Sequence, residues 1–428
     1  MVTERPRPSR REEIDAIVNA RAGGVSETRD EADKYTVVGA ARRRTFANWL
    51  TPIEEHFVCH RNDVPEVDAD AWTVSLAGQV DGDLSMAEVR EAYPSVAVAH
   101  TMECAGNGRG HHEPETGSVQ WGFEAAATAF WTGTPVRSVL REHGVTSADD
   151  RWLTAIGGDP SDGGDVFARS IPLAKALDDC LLADGMNGQP LPREHGYPVR
   201  LIVPGWYGVN NVKWVEELRV TDSMVVEGSL DRPGEHAYWQ QVSYRIHPDG
   251  ADPEELESVD TVDTWAQLEG AVEHPYTFDE NVMSVIGTPD GEAPVAPRAD
   301  GTVEVRGVAW AGDDAVDRVE VSTDGGESWR DAELFGPDYA GAWRLFRLDW
   351  DADPGRYVLL SRATDELGRR QPARISEPDA WRDALENDEF PWNEGGFAAN
   401  AYEPNAVEVD VVESGDPSPR SASPDDPT

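Results

Sequence analysis

Two short stretches carry residue types whose spacing could do chemistry. In HTMECAGNGRGHHEPETG, residues 100–117, Cys104 ends a buried-looking stretch and is followed by Gly106, Asn107, Gly108 and Arg109. A thiol so placed is either an inert core side chain before a turn, the commoner fate of a buried cysteine, or it is held out at a strand tip for chemistry. In the same stretch His111, His112 and Glu113 are zinc-ligand types. Adjacent loop histidines diverge, however, and no H-E-x-x-H is present, so they read as solvated loop residues. STDGGESW, residues 322–329, fits S-x-D-x-G-x-x-W. A single copy reads as a hairpin device, with Asp324 folding the turn and Trp329 packing beneath it, whereas a propeller glycosidase would repeat it.

The elements that must position these residues are legible from periodicity. VAVAHTME (96–103) reads as a strand running straight into Cys104, and WTVSLAG (72–78) alternates as a half-buried strand. SMAEVREAYP (85–94) reads as a helix with Ser85 and Glu88 in capping-box spacing and Pro94 after it. TPVRSVLREHG (134–144) offers Thr134 as N-cap, Pro135 in the first turn and Gly144 as C-cap. PVRLIVPG and VKWVEELRV predict further strands around a turn rich in Gly and Asn. Beyond about residue 275 helical periodicity nearly vanishes, and short strands with turn signals predict a β-sandwich. The expected organisation is a polar extension over 1–45 with one short helix near 11–21, a mixed α+β domain over 46–275, a sandwich over 276–410, and a disordered acidic tail over 411–428.

Composition restricts the function. The 428 residues include 81 Asp and Glu against 37 Lys and Arg, a formal charge of −44 spread along the chain. Such a surface repels nucleic acid and anionic membranes. It suits a cytoplasm of very high salt, as in haloarchaea, where the Debye length falls to about 3 Å at 1 M. Three cysteines are too few for a disulfide framework, a four-cysteine zinc site or a cysteine-ligated iron–sulfur cluster. The N-terminus has no apolar core of a secretory signal and no segment is long enough to span a membrane, so a cytoplasmic protein is expected. In so anionic a chain, the local set of His195, Arg200 and Lys213 stands out.

Cys104-Ala105-Gly106-Asn107-Gly108-Arg109 matches five of the six residues of C-A-G-N-R-R, the signature of the sulfite oxidase family of molybdopterin enzymes. CHRNDVPEVD resembles that family's R-N-H-x-P-V-P. The run from AIGGDPSDGGD to PGWYGVNNVKW resembles it almost continuously, and YWQQVSYRIHP resembles W-Q-x-x-D-Y-K. PWNEGGFAANAY resembles the end of the family's second domain. The resemblance implies a molybdopterin-binding α+β domain followed by an immunoglobulin-like dimerisation sandwich, and hence a homodimer. It implies Cys104 as the protein ligand to molybdenum, since a soft thiolate suits a metal held by a dithiolene. Arg61 and Arg109 become the cations that hold a sulfur oxyanion, and Tyr244 the active-site tyrosine. Asn62, Asp159, His195, Arg200 and the turn Asn211-Val212-Lys213 fall on pterin-binding positions. His195 and Arg200, five apart, suit a shared phosphate. The glycines after Cys104 are expected to let backbone approach the cofactor.

The chain also departs from the family. Gly108 stands for the first arginine of the signature, Asp63 for a histidine, and Arg245 for the lysine after the tyrosine. AWAGDDAVDRVEVS lacks the second-domain arginine that charges the substrate pocket. No haem-binding segment precedes the domain, so electrons are expected to leave through a separate acceptor protein. A reductase, an oxidase of another sulfur compound and a cofactor-free binding protein are the competing readings.

Overall fold

The strand Val96–Glu103 forms as expected, because its alternating side chains have two different neighbours to satisfy. It pairs antiparallel with Ala126–Pro135, which pairs with Leu181–Met186. Gln189–Pro190 and Arg200–Ile202 both flank that third strand. A second, mixed sheet runs Gly82–Ser85, Thr73–Gly78, Val215–Thr221, Trp152–Gly157, Ala168–Pro172, with only Thr73–Gly78 and Val215–Thr221 parallel. The helices Met86–Glu91, Val136–Glu142 and Leu173–Asp178 close a shared core with these sheets around Val74, Leu76, Leu140, Leu153, Leu182 and Leu218. The computed structural model describes residues 38–60, 62, 64–159, 165–232, 234, 236–246, 265–268 and 275–413. The helix expected near 11–21, Arg61, Asp63 and the tail beyond 413 lie outside the described residues.

Local signals held at most termini. Ser85 accepts from the Glu88 amide while the Glu88 carboxylate accepts from the Ser85 amide, a complete capping box. Gly144 follows the helix Val136–Glu142 with φ +89°, as a left-handed helix terminator should. Thr134 is not the N-cap. The preceding strand runs on through Pro135, and the Thr134 hydroxyl donates to the Val89 carbonyl at 2.5 Å, so tertiary packing took the side chain from the cap. Residues 38–45 of the expected extension belong to the fold: Val38–Gly39 pairs with Val58–Cys59, and Ala41 and Thr45 are buried.

The second region is the expected sandwich. One sheet runs Met283–Thr288, Thr302–Trp310, Arg344–Asp351, Glu333–Phe335; the other runs Arg330–Asp331, Val316–Ser322, Gly355–Asp365, Val407–Val411. Val305, Val319, Val321, Phe346, Leu359 and Val409 fill the space between them. Asp324 accepts from the Ser328 amide at 2.9 Å and Trp329 donates to the Gly326 carbonyl at 3.1 Å, so STDGGESW is a turn device. A separate apolar cluster of Phe46, Phe123, Met283, Val308, Trp310 and Trp343 joins the two regions. Among the described residues no helix is long and apolar enough to cross a membrane.

Candidate functional site

The strand carrying Cys104 delivers alternate side chains to opposite sides. Met102 and Cys104 face a cleft. Thr101 accepts from the Trp343 amide at 2.7 Å, and Glu103 accepts from the Trp310 indole at 2.9 Å, both on the sandwich. The turn after Cys104 is locked by Asn107. Its carboxamide donates to Glu103 at 2.9 Å and accepts from the Ala125 amide at 3.0 Å, while the Cys104 amide donates to the Ala125 carbonyl at 2.9 Å. Cys104 is thus a half-buried thiol held at a strand tip, not one sealed in a core.

The cleft encloses about 750 Å³ including its open mouth. Cys59, Asp159, His195, Arg200, Asn211, Lys213 and Tyr244 line it with Cys104. Apolar wall comes from Ala105, Phe167, Val209 and Trp214. The Arg200 guanidinium is buried, donating to the carbonyls of His195 at 2.8 Å and Asn211 at 2.9 Å and lying 4.9 Å above the Trp131 ring. Its Nε has no hydrogen-bond partner, and burial pulls its pKa down to about 9. Lys213 donates to the Cys59 carbonyl and to His60 Nδ1, both at 2.8 Å, and rests over the Trp214 ring. Burial, reinforced by the charge of Arg200, brings its pKa down to about 7. Two buried cations whose hydrogen bonds go to neutral groups favour an anion. Among the described residues no group of three or more His, Cys, Asp or Glu could hold a metal ion. Two thiols, Cys59 and Cys104, line the same cavity as these cations, a donor set that fits an anionic ligand carrying a soft metal.

Other expected residues take different places. Asp159, its pKa raised by burial, accepts from the Asn62 carboxamide at 2.8 Å. The Asn211 side chain serves the turn, accepting from the Val203 amide at 2.7 Å and donating to the carbonyls of Trp206 and Tyr207. Val212 points into the core shared with Val199 and Val215, and its carbonyl accepts from the Leu201 amide. Tyr244 faces the cleft against Phe397, with φ +61°. That left-handed backbone costs a non-glycine residue energy, and Thr277 holds it by donating its amide and hydroxyl to the Tyr244 carbonyl at 3.2 and 3.0 Å.

Arg109 and the glycines differ from expectation. The Arg109 side chain is buried outside the cleft lining; it donates to the carbonyls of Gly395 at 2.7 Å and Val119 at 3.1 Å and lies over Phe397. A Cβ on Gly106 would collide with that guanidinium, and one on Gly108 would meet Phe123 at 2.5 Å, at φ +80°. At both positions a side chain would collide with a protein side chain. His111 is exposed and stacks on Phe123, but His112 is buried against Phe390 rather than solvated. Burial lowers the His112 pKa to about 4.

Sequence reasoning passed over Cys59, His56 and Arg169. His56 meets His195 edge-on at 5.0 Å. Arg169, fully buried, donates to Asn210 at 2.9 Å and lies 5.9 Å from the Tyr244 ring centre. Cys59 sat inside a quoted motif, two residues before Arg61, and its type was the available signal.

Comparison with known proteins agrees with this geometry. A family described as "Oxidoreductase molybdopterin binding domain" matches residues 61–227, and one described as "Mo-co oxidoreductase dimerisation domain" matches residues 274–382. Sulfite oxidase of Gallus gallus is 33% identical over 77% of this chain and 69% of its own length. Mitochondrial sulfite oxidase of Homo sapiens is 32% identical over 83% of this chain, which spans 61% of that relative. Nitrate reductase [NADH] 1 of Nicotiana tabacum is 32% identical over 76% of the chain and 37% of its own length. Among solved structures, the sulfane dehydrogenase SoxCD from Paracoccus pantotrophus superposes with TM-score 0.70 at 26% identity, covering 96% of both chains.

Proposed function

Because the chain belongs to the sulfite oxidase family of molybdopterin-dependent oxidoreductases, we propose that it oxidises sulfite, or a related sulfur oxyanion, to sulfate and passes the electrons singly to a separate acceptor protein. The observation that carries the reading is the meeting of the Cys104 thiol with the buried cations Arg200 and Lys213 in one cleft. When bound, the molybdenum cofactor supplies oxygen-atom transfer and a two-electron couple. Sulfite and water then give sulfate, two protons and two electrons.

The chain's own groups bind and orient. Cys104 is the thiolate ligand, presented at the cleft by the Asn107 lock. Arg200, Lys213 and His195 hold the anionic tail of the pterin, with Asp159 and Asn62 at its polar edge. Tyr244, fixed by Thr277, lines the cleft and would be the group that donates or relays a proton there. Arg61 takes the substrate anion. Arg109 acts from below, fastening the cysteine turn to Gly395. The second region pairs two chains about a two-fold axis.

A second reading has specific support. The chain matches the sulfane dehydrogenase over nearly its whole length. The cleft wall includes Phe167, Val209 and Trp214. These apolar side chains suit a neutral sulfur substrate. The experiment is reduction of an artificial one-electron acceptor by sulfite, in multimolar salt, on protein confirmed to carry molybdenum. Sulfite turnover that disappears in Cys104→Ala is expected. Turnover with a persulfide but not with sulfite would transfer the assignment to the second reading.

A further inference from the structure

Arg169, on the strand Ala168–Pro172, is wholly buried near Tyr244, and nothing in the reaction above uses it. Its guanidinium donates to the Trp239 carbonyl and, at 2.9 Å, to the Asn210 carboxamide, while its Nε has no partner. Burial draws its pKa down only to about 10, so it stays charged. The charges that act on it come from Tyr276, Tyr244 and Arg245, with no carboxylate among them. Burying a cation without a carboxylate is costly, and an apolar side chain would pack there more cheaply.

The two hydrogen bonds reach the segment that carries Tyr244 from both ends. Trp239 lies in the π-helical turn Tyr238–Val242, which leads into Tyr244. From the other end, the Asn210 carboxamide donates to the Thr277 carbonyl at 2.9 Å. Thr277 in turn donates its amide and hydroxyl to the Tyr244 carbonyl at 3.2 and 3.0 Å. One guanidinium therefore joins both arms of a residue whose left-handed backbone, φ +61°, persists only where its surroundings fix it. The same guanidinium lies 5.9 Å from the centre of the Tyr244 ring, within cation–π reach.

We propose that Arg169 is a positioning residue for Tyr244: its fork to Trp239 and Asn210 keeps the tyrosine in its strained backbone and its ring at the cleft. This rests on Tyr244 acting in turnover as proposed above. Arg169 is outside the cleft lining, so its effect falls on kcat and not on retention of the cofactor.

The test compares wild type, Arg169→Met, Tyr244→Phe and the double variant as molybdenum-loaded full-length protein, with metal content quantified first. The substrate is whichever of sulfite and a persulfide the wild type oxidises. Arg169→Met lowers kcat about ten- to a hundred-fold, with KM and molybdenum content near wild type. The double variant is no slower than Tyr244→Phe, because residues that act as a unit are not additive. Hydrogen exchange supplies a readout independent of turnover: the Thr277 amide and residues 238–246 exchange faster in Arg169→Met. Arg169→Lys keeps the charge but not the fork, and recovers part of both losses. Unchanged exchange overturns the proposal, as does an unchanged kcat where Tyr244→Phe is slow. A loss that multiplies with that of Tyr244→Phe overturns it too. If Arg169→Met does not fold, Arg169→Lys is put through the same cycle and decides by the same criteria. Tyr244→Phe at the wild-type rate would instead overturn the tyrosine's part in turnover. Wild-type protein that oxidises neither compound would overturn the substrate reading, and the exchange comparison would then decide for Arg169.

Discussion

The two sides of the strand that ends in Cys104 bury ionisable groups of opposite type and treat them differently. Toward the sandwich, Glu103 and Glu280 are buried, and burial pushes Glu103 up to about 8 and Glu280 well above its ordinary range. The protein supplies partners there: Asn107 and Trp310 each donate to Glu103 at 2.9 Å, and the Glu103 amide donates to Glu280 at 2.9 Å. Toward the cleft, Arg200 keeps a buried Nε without a partner and Lys213 leans on neutral groups. A polar junction completed by its own chain is structural. A set of cations left incomplete is what a binding site for an anionic group looks like.

Substitutions on either side test this contrast. The largest expected effect is on the cleft side. Arg200→Met removes charge-assisted hydrogen bonds to a bound anion, each worth about 1.5–3 kcal/mol, so retention of molybdopterin falls about ten- to a hundred-fold. Molybdenum and pterin content after dialysis measures it, and the unfolding midpoint of the cofactor-free chain shifts far less. Full retention in that variant would remove the anion-site reading. Next comes Gly108→Arg, which restores the family's signature residue but needs a left-handed backbone and the space filled by Phe123 and Ala399. Overpacking of this kind costs about 1–3 kcal/mol. Urea unfolding should register that loss with no gain in sulfite turnover, and a stable, faster variant would reopen the cleft's substrate assignment.

A third test is the pH dependence on the sandwich side. The Glu103 pKa is about 8 in the fold against an ordinary 4.5. Its contribution to stability is therefore complete below about 4.5 and is lost as pH rises through about 8. Glu103→Gln cannot titrate, so between pH 5 and 9 its stability should fall less than that of the wild type. Parallel curves would mean that Glu103 stays ionised at the junction.

Much of this was readable in advance for a local reason. Strand Val96–Glu103, the Ser85 capping box, the turn at STDGGESW and the grouping of Cys104, His195, Arg200 and Lys213 depend on residue type at short spacing. Thr134 misled, because its hydroxyl found a partner far along the chain, Val89, 45 residues away; the Arg109 side chain likewise bonds far along the chain, to Gly395, 286 residues away. Cys59 was passed over because its place in the cleft beside Cys104 comes from tertiary packing rather than from spacing.

By itself the sequence determined the fold class, the cysteine at a strand tip and a local set of cations, since periodicity and side-chain chemistry are carried residue by residue. Only the tertiary structure decided that Gly108 faces Phe123, that Arg109 lies outside the cleft lining and that a second thiol stands beside the first. Those are matters of which distant surfaces pack together, and alternation along a strand gives two sides without saying what lies on either.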